Sequence, residues 1–300
     1  MPPQNDQQSA LPSSGPQHPQ CWAMILAGGS GERLGSSLPK AFVDIFSKPM
    51  LAWSILSFAA HEAITDILVV VPKGYRDEFS QKVLGAIKKE LGGLNTRIHK
   101  PVVGGSRRQD SSRAGLTAIL AQTDESRLEN LPILIHDAAR PIVRPRVISQ
   151  LLDRLQIGLY SKPGVVAAIP ALPVGDTLKT GLPGGVDSSG GKIHRVNRTI
   201  SREGLYQIQT PQAFCLGPIL EAHNDAMITS YQATDDAMLF ERMNWPVEIV
   251  QGSRLSLKIT YPDDLALIEG WLRQTAQSVG ESNRQKRPEK PQKPSRKSTR

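Results

Sequence analysis

Residues 22–40 read Trp22-Ala-Met-Ile-Leu-Ala-Gly-Gly-Ser-Gly-Glu-Arg-Leu-Gly-Ser-Ser-Leu-Pro-Lys40. The opening run, Trp22–Ala27, is apolar without alternation, as expected of a strand buried on both faces. Gly28, Gly29 and Gly31 follow at once, so the backbone can turn its N–H groups toward an anion without a Cβ in the way. Arg33 and Lys40 add fixed positive charge, and the segment reads as a strand-to-loop unit that holds a polyphosphate. Two better-known phosphate loops do not fit. No Gly-Lys-Ser/Thr follows at the spacing of a P-loop. A dinucleotide fingerprint needs Gly-x-Gly-x-x-Gly and an acid after strand two. Here Gly29-Ser-Gly31 is followed by Gly35, and strand two runs into Val71-Pro72-Lys73. Hydride chemistry is therefore disfavoured.

Outward from this unit the chain alternates apolar runs with helical patterns. Strands are expected at Trp22–Ala27, Ile67–Val71, Ile133–Ile135 and Val165–Ile169, and helices at about Pro49–His61, Gly74–Leu91, Gln109–Gln122 and Pro145–Ile157. Further helices are expected near Pro218–Met227 and at Pro262–Ala276, the latter with Asp263 and Asp264 in its first turn, where the helix dipole favours acids. This alternation predicts right-handed crossovers and an α/β, Rossmann-like, mainly parallel sheet flanked by helices. Ligands on such a sheet lie beyond the carboxyl ends of the strands. Residues 173–203 break the rhythm, because a Gly/Ser-rich centre is flanked by arms containing Thr, Ile and Val. They read as a projecting β-arm.

Composition narrows the class. Hydrophobic residues are 39% and charged residues 21% of 300, enough apolar material for a sizeable core. The net charge of +8 is concentrated in residues 277–300, which carry +6, while residues 1–20 carry −1. The body, 21–276, retains only a mild positive balance and has no evident nucleic-acid footprint. Both ends are poor in apolar residues and are expected to be disordered. There is no apolar run of the ~20 residues a membrane helix needs, and the N-terminus does not read as a secretory signal. Cys21 and Cys215, far apart in sequence, suit two buried thiols in a reducing cytoplasm.

Further motifs fall just after the expected strands. Gly104-Gly-Ser-Arg-Arg-Gln-Asp-Ser111 opens a helix, where backbone N–H groups can meet a pyrimidine edge or a phosphate, although Asp110 and Ser111 also suit helix caps. His136-Asp-Ala-Ala-Arg-Pro141 follows strand four and pairs a carboxylate suited to a metal or hydroxyl with a guanidinium suited to phosphate. His136 is read as orienting the strand end. Then come Asp176-Thr-Leu-Lys179, Arg202-Glu-Gly-Leu205, Gln209-Thr-Pro-Gln-Ala-Phe214, Ala233-Thr-Asp-Asp236 and Lys258-Ile-Thr260.

The glycine-rich loop alone resembles sugar-phosphate nucleotidyltransferases in general. Together with the later motifs, in order from about Ala23 to Leu272, the chain resembles the 2-C-methyl-D-erythritol 4-phosphate cytidylyltransferase family. The resemblance implies a nucleotide-diphospho-sugar transferase type of fold and CMP transfer from CTP to methylerythritol phosphate in non-mevalonate isoprenoid synthesis. It implies that Ala27, Gly28, Gly29, Gly31, Gly104, Ser106, Ser111 and Ala138 surround the cytidine. Arg33, Lys40 and Lys258 would hold the triphosphate and carry catalysis. Asp137, Arg140, Thr177, Arg202 and Thr210 would hold the methylerythritol phosphate. Mg²⁺, held mainly by the CTP phosphates, would be the cofactor, and the arm would cross to a second subunit of a homodimer. The chain departs from the family at Ser106, where Asp is usual, at Ala41, where an aromatic or Gln is usual, and in a longer arm at Gly181–Gly191. Ribitol-5-phosphate cytidylyltransferases share most of the motifs. A non-catalytic nucleic-acid-binding protein using the basic tail is the alternative from another class, and it predicts decay of cations that are all present.

Overall fold

The computed structural model describes residues 21–29, 31–94, 96–160 and 167–285. The expected N-terminal extension, 1–20, and the tail beyond 285 lie outside the described residues. The expected strand Val165–Ile169 begins outside them too. Its described part opens a strand at Ala167.

β1 (Cys21–Leu26) is buried along its whole length, as its apolar run demands. Short strands β2 (Asp44–Ile45) and β3 (Lys48–Pro49) pair with each other and lead into α1 (Met50–Ala59). β4 (Ile64–Val71) lies parallel to β1. A helical stretch follows: α2 (Arg76–Glu78), a π-helical turn at Phe79–Leu84, and α3 (Gly85–Leu91). β5 (Arg97–Ile98) and β6 (Val102–Val103) both pair with β4 in parallel. α4 (Arg108–Leu120) then leads to β7 (Pro132–Asp137), parallel to β1 on its other side. α5 (Pro145–Tyr160) precedes β8 (Ala167–Pro173).

The arm is a separate antiparallel pair, β9 (Leu178–Val186) and β10 (Lys192–Ile200), turning at 187–191 as the Gly/Ser-rich centre predicts. β11 (Tyr206–Ile208) and β12 (Gln212–Cys215) return the chain to the main sheet, and β12 pairs antiparallel with both β7 and β8. α6 (Leu216–Ile228), α7 (Ala237–Arg242), β13 (Val247–Gln251) and α8 (Pro262–Gln285) complete the fold. The principal path through the sheet is β11-β8-β12-β7-β1-β4-β5. β11 and β12 pair antiparallel with their neighbours, so the sheet is mixed but mostly parallel.

The period of two along β1 divides the core. Cys21, Ala23 and Ile25 face one side, where they join Ile55 and Phe58 of α1, Val83 and Ile87 of the next helical stretch, and Leu151 of α5. Trp22, Met24 and Leu26 face the other, with Leu116 of α4, Ile219 of α6 and Phe240 of α7. A third cluster ties α8, through Ile268 and Leu272, to Leu34, Ile45 and Ile259. It closes α8 against the loop that follows β1. Asp264 sets the start of α8, since its Oδ2 accepts the Thr260 and Tyr261 N–H groups at 2.8 and 2.9 Å. The helix also continues through 277–285, residues expected to begin the tail. Once nucleated, a helix adds one hydrogen bond per residue, so backbone pairing can carry it on through such a segment.

Cys21 and Cys215 are buried free thiols, and burial raises both pKa values, Cys215 to about 12. Among the described residues no helix is long and apolar enough to cross a membrane.

α4 approaches the sheet closely because Gly115 faces it. A Cβ there would lie 2.2 Å from Met24 Sδ and 2.8 Å from Val70 Cγ2, both in the packed core. Gly115→Val is expected to cost ~1–3 kcal/mol through overpacking, despite the better helix propensity of Val. Urea unfolding of both proteins measures this, and an unchanged midpoint would show that α4 can retreat from the sheet.

Candidate active site

β1, β4 and β7 end together, and a cleft of about 320 Å³ opens beyond their carboxyl ends. Its walls carry Gly28, Gly29, Arg33 and Lys40 from the first loop, residues of the Gly105–Ser111 segment at the start of α4, Asp137 and Ala139 after β7, and Lys258 before α8. A recess of about 170 Å³ adjoins it, floored by Val70, Val71 and Pro72 and sharing Gly28, Gly29, Gly105 and Ser111 with the cleft; Gly104 lines this recess. The two openings join a mostly apolar slot to a strongly cationic chamber.

The first loop is shaped by its own backbone. Gly31 has φ +78°, and a Cβ there would sit 2.7 Å from the Leu38 carbonyl oxygen, so no other residue fits this turn without strain. Gly31 is itself buried. The Lys40 N–H donates to the Gly29 carbonyl at 3.3 Å and folds the loop back on itself. Lys40 is buried, and its ammonium donates to the Ile259 carbonyl at 2.8 Å. Burial, and then the nearby Arg33 and Lys258 charges, pull its pKa below the ordinary lysine value. Arg33 is exposed on the same wall. Ala27 and Ala138 are buried at the adjoining strand ends, with the Ala138 N–H donating to the Leu26 carbonyl at 3.0 Å. Ala41 is buried, so the small residue serves packing here.

Asp137 is the centre of the charged chamber. Its Oδ1 accepts from Arg108 Nε at 3.1 Å and its Oδ2 from Lys258 Nζ at 2.8 Å. Burial opposes the carboxylate charge, but Arg108 and Lys258 outweigh it and hold the pKa well below the usual range. Arg108 also donates through Nη1 to Asp236 Oδ2 at 2.6 Å. Asp236 is fully buried and accepts from Ser112 Oγ at 2.6 Å; its Oδ1 also meets His223 Nε2 at 3.0 Å. Burial raises its pKa less than Arg108 and His223 lower it, so it too stays ionised. Sequence reasoning assigned no role to Arg108 or Asp236. Both stand in motifs quoted above, but nothing in linear spacing brings residues 108, 137 and 236 to one point.

At the rim, Ser106 Oγ lies 3.4 Å from Asp110 Oδ2, and Arg107 clasps the Asp110 carboxylate at 2.9 and 2.8 Å. Asp110 is therefore an arginine partner rather than a cap on the helix backbone. Ser111 Oγ turns to the Arg107 carbonyl at 3.1 Å.

Behind Asp137 lies a neutral support. The Asp137 N–H donates to Thr210 Oγ1 at 3.2 Å, and Thr210 Oγ1 meets His136 Nδ1 at 3.0 Å. His136 Nε2 lies 2.9 Å from the Arg140 carbonyl, which can only accept. These partners assign the neutral Nε2–H tautomer, with Nδ1 accepting from Thr210. Burial lowers the His136 pKa to about 4. Arg140 is committed to carbonyls, donating to Ser256 at 2.6 Å and Ile208 at 3.1 Å, and it does not line the cleft. Thr210 is buried. Thr177 and Arg202 are exposed on the arm, where Arg202 donates to the Gly175 carbonyl. Neither lines the cleft of its own chain. The expected substrate residues thus divide between Asp137 in the cleft, Arg140 and Thr210 supporting it from behind, and two arm residues apart from it.

Among the described residues no group of three or more His, Cys, Asp or Glu could hold a metal by itself. Asp137 lines the cleft with a carboxylate, a hard oxygen donor that fits a magnesium ion whose remaining ligands come from phosphate and water.

Comparison with known proteins accords with this arrangement. Residues 21–274 match the family model described as IspD, 2-C-methyl-D-erythritol 4-phosphate cytidylyltransferase. A 2-C-methyl-D-erythritol 4-phosphate cytidylyltransferase of Syntrophus aciditrophicus is 36% identical over 256 residues, covering 85% of this chain and 97% of that protein. One from Acaryochloris marina is 35% identical over 264 residues, covering 87% and 97%. The solved structure of the enzyme of that name from Thermus thermophilus is 28% identical with a TM-score of 0.59, covering 85% of this chain and 99% of that one.

The neutral state of His136 has a measurable consequence. An unfolded histidine takes up a proton near pH 6.5, whereas folded His136 resists protonation to about pH 4. Unfolding therefore binds a proton in that window, and stability falls as pH drops from 6.5 toward 4, by up to about 3 kcal/mol from this group. Chemical denaturation at about pH 7.5 and about pH 5 should show a steeper loss in the parent than in His136→Gln, and equal losses would mean His136 is charged in the fold. The residues, the fold and the matches agree on one assignment: the chain belongs to the 2-C-methyl-D-erythritol 4-phosphate cytidylyltransferase family.

Proposed function

We propose that the protein transfers CMP from CTP to 2-C-methyl-D-erythritol 4-phosphate, giving 4-diphosphocytidyl-2-C-methyl-D-erythritol and pyrophosphate. The observation that supports this most directly is the joining of a mostly apolar recess to a chamber bearing Arg33, Lys40, Arg108 and Lys258. Residues 21–276 are the catalytic unit. The base enters the recess beside Gly28, Gly29, Gly104 and Ser111, and the triphosphate lies along the first loop.

A phosphate oxygen of the second substrate attacks the α-phosphorus of CTP in line. The new P–O bond forms as the bond to the β-phosphate oxygen breaks, and its electron pair leaves with pyrophosphate. The nucleophile is already ionised at neutral pH, so no strong base is needed. The obstacle is repulsion between two polyanions, and fixed cations remove it. Lys40 is held in place by the Ile259 carbonyl before substrate arrives, so its ammonium needs little reorganisation. Arg33 and Lys258 act beside it. When bound, Mg²⁺ neutralises and orients the phosphates. Asp137 is the side chain placed to meet it, or to meet a hydroxyl of the second substrate.

Thr177 and Arg202 act on the second substrate of a neighbouring subunit. Supporting this, the arm exposes Leu182, Val186, Ile193 and Val196, and its cationic residues lie away from the cleft of its own chain. A homodimer joined through the arms would bring them to a site. Two free buried thiols suit function in the reducing cytoplasm.

Pyrophosphate release with Mg²⁺ and CTP tests the reaction directly. Turnover with methylerythritol phosphate and none with ribitol 5-phosphate is expected; the reverse pattern would move the enzyme to another pathway. Lys40→Ala should lower kcat by ~10²–10³, as for a lost electrostatic donor to a transition state. A loss below about threefold would remove Lys40 from that role. Arg202→Ala should chiefly raise KM for the sugar phosphate, and an unchanged KM would separate the arm from the site.

A further inference from the structure

We infer that Asp264, in the first turn of α8, is a positioning residue for the reaction: it holds the Ile259–Thr260 peptide so that the Ile259 carbonyl fixes the Lys40 ammonium. This rests on the transfer reading above and deepens it. Asp264 is half-buried and does not line the cleft, so it acts through the segment it grips. Its Oδ2 accepts from the Thr260 N–H at 2.8 Å and the Tyr261 N–H at 2.9 Å. A trans peptide unit is planar, and its N–H points opposite its C=O. The Thr260 N–H and the Ile259 carbonyl belong to one such unit, so holding the first aims the second. That carbonyl accepts from Lys40 Nζ at 2.8 Å.

Carboxylate, peptide and ammonium thus form one chain of hydrogen bonds, with negative charge at the N–H end and positive charge at the oxygen end. Both charges polarise the peptide in the same sense, and each bond strengthens the other. The Ile259 N–H donates to the Ala139 carbonyl at 2.8 Å, so the preceding peptide is held at the cleft wall too. Thr260 Oγ1 donates to the Lys258 carbonyl at 3.1 Å, and Lys258 Nζ reaches Asp137 from the same strap. The charges around Lys40 point the same way. Burial, Arg33 and Lys258 favour loss of its proton, and Asp264 and Asp137 oppose that loss. Asp263 shares the first turn and its favourable interaction with the helix dipole, but its side chain is exposed. It therefore separates support of the helix from positioning of the strap.

Two readouts test the inference. In pyrophosphate release from CTP and methylerythritol phosphate, Asp264→Ala should lower kcat by about tenfold or more, with KM for CTP changed by less than about threefold. Asp264→Asn, which keeps the acceptor and drops the charge, should fall between Asp264→Ala and the parent. Asp263→Ala should stay within about twofold of the parent, which a role confined to helix stability would not produce. In a Lys40→Ala background, adding Asp264→Ala should cost less than about threefold, because the group it positions is already gone. The second readout needs no substrate: acetylation of Lys40 in the free protein, followed by mass spectrometry. It should be at least about fivefold faster in Asp264→Ala than in the parent or Asp263→Ala. Rates of turnover and labelling within about twofold of the parent in both Asp264 variants would overturn the inference, as would a loss undiminished when residue 40 is already Ala. A parent protein that releases no pyrophosphate would count against the proposed reaction, and the labelling rates would still decide whether Asp264 anchors Lys40.

Discussion

The carboxylate of Asp137 is the point to which most of the site is tied. It sits at the end of β7, between Arg108 on one side and Lys258 on the other, and three distant parts of the chain meet there. Removing a charge from such a partly buried group would leave its partners uncompensated, which is why this kind of cluster is held so tightly once formed. Asp236, Ser112 and His223 extend the network into the core behind α4. The His136–Thr210 pair supports the backbone of Asp137 from the opposite side without adding charge. The His136–Thr210 support is neutral because of burial: a group as enclosed as His136 cannot retain a second proton at neutral pH.

The fold places this cluster where a ligand can reach it. Parallel strands β1, β4 and β7 end side by side, and each is followed by a segment that lines the cleft or its recess. Opposite faces of the sheet are sealed by α1 and α5 on one side and α4, α6 and α7 on the other. α8 closes the third cluster and delivers Lys258 and Ile259 to the first loop. Lys40 illustrates how this works. It belongs to the glycine-rich loop by sequence, but the carbonyl that fixes its ammonium comes from the far end of the chain. A cation fixed in this way keeps its place on the cleft wall without help from a ligand.

The fold was largely legible in the order of residues. Continuous apolar runs marked the buried strands, helical periodicity marked the layers between them, and the Gly/Ser-rich centre at 187–191 marked the turn of the arm. The cationic loop and the Asp137 region were legible as well, because strand ends carry ligands in sheets of this kind. Arg140 shows where reading along the chain was insufficient. An arginine three residues beyond Asp137 looked suited to phosphate, yet its guanidinium is enclosed and bonded to the Ser256 and Ile208 carbonyls. Burial and long-range partners decide that outcome, and neither is visible from neighbours in sequence.

By itself, the sequence determined the alternation of strands and helices, the glycine-rich cationic loop and the family to which its ordered motifs point. These are local properties: hydrophobic period, glycine placement and residue identity at short spacing. Only the tertiary structure decided that Arg108 stands between Asp137 and Asp236, that Lys40 is anchored by Ile259, and that Arg140 supports the site from behind. Each of those depends on which segments the sheet order brings together and on how much water is excluded between them, quantities that arise only when the chain has packed.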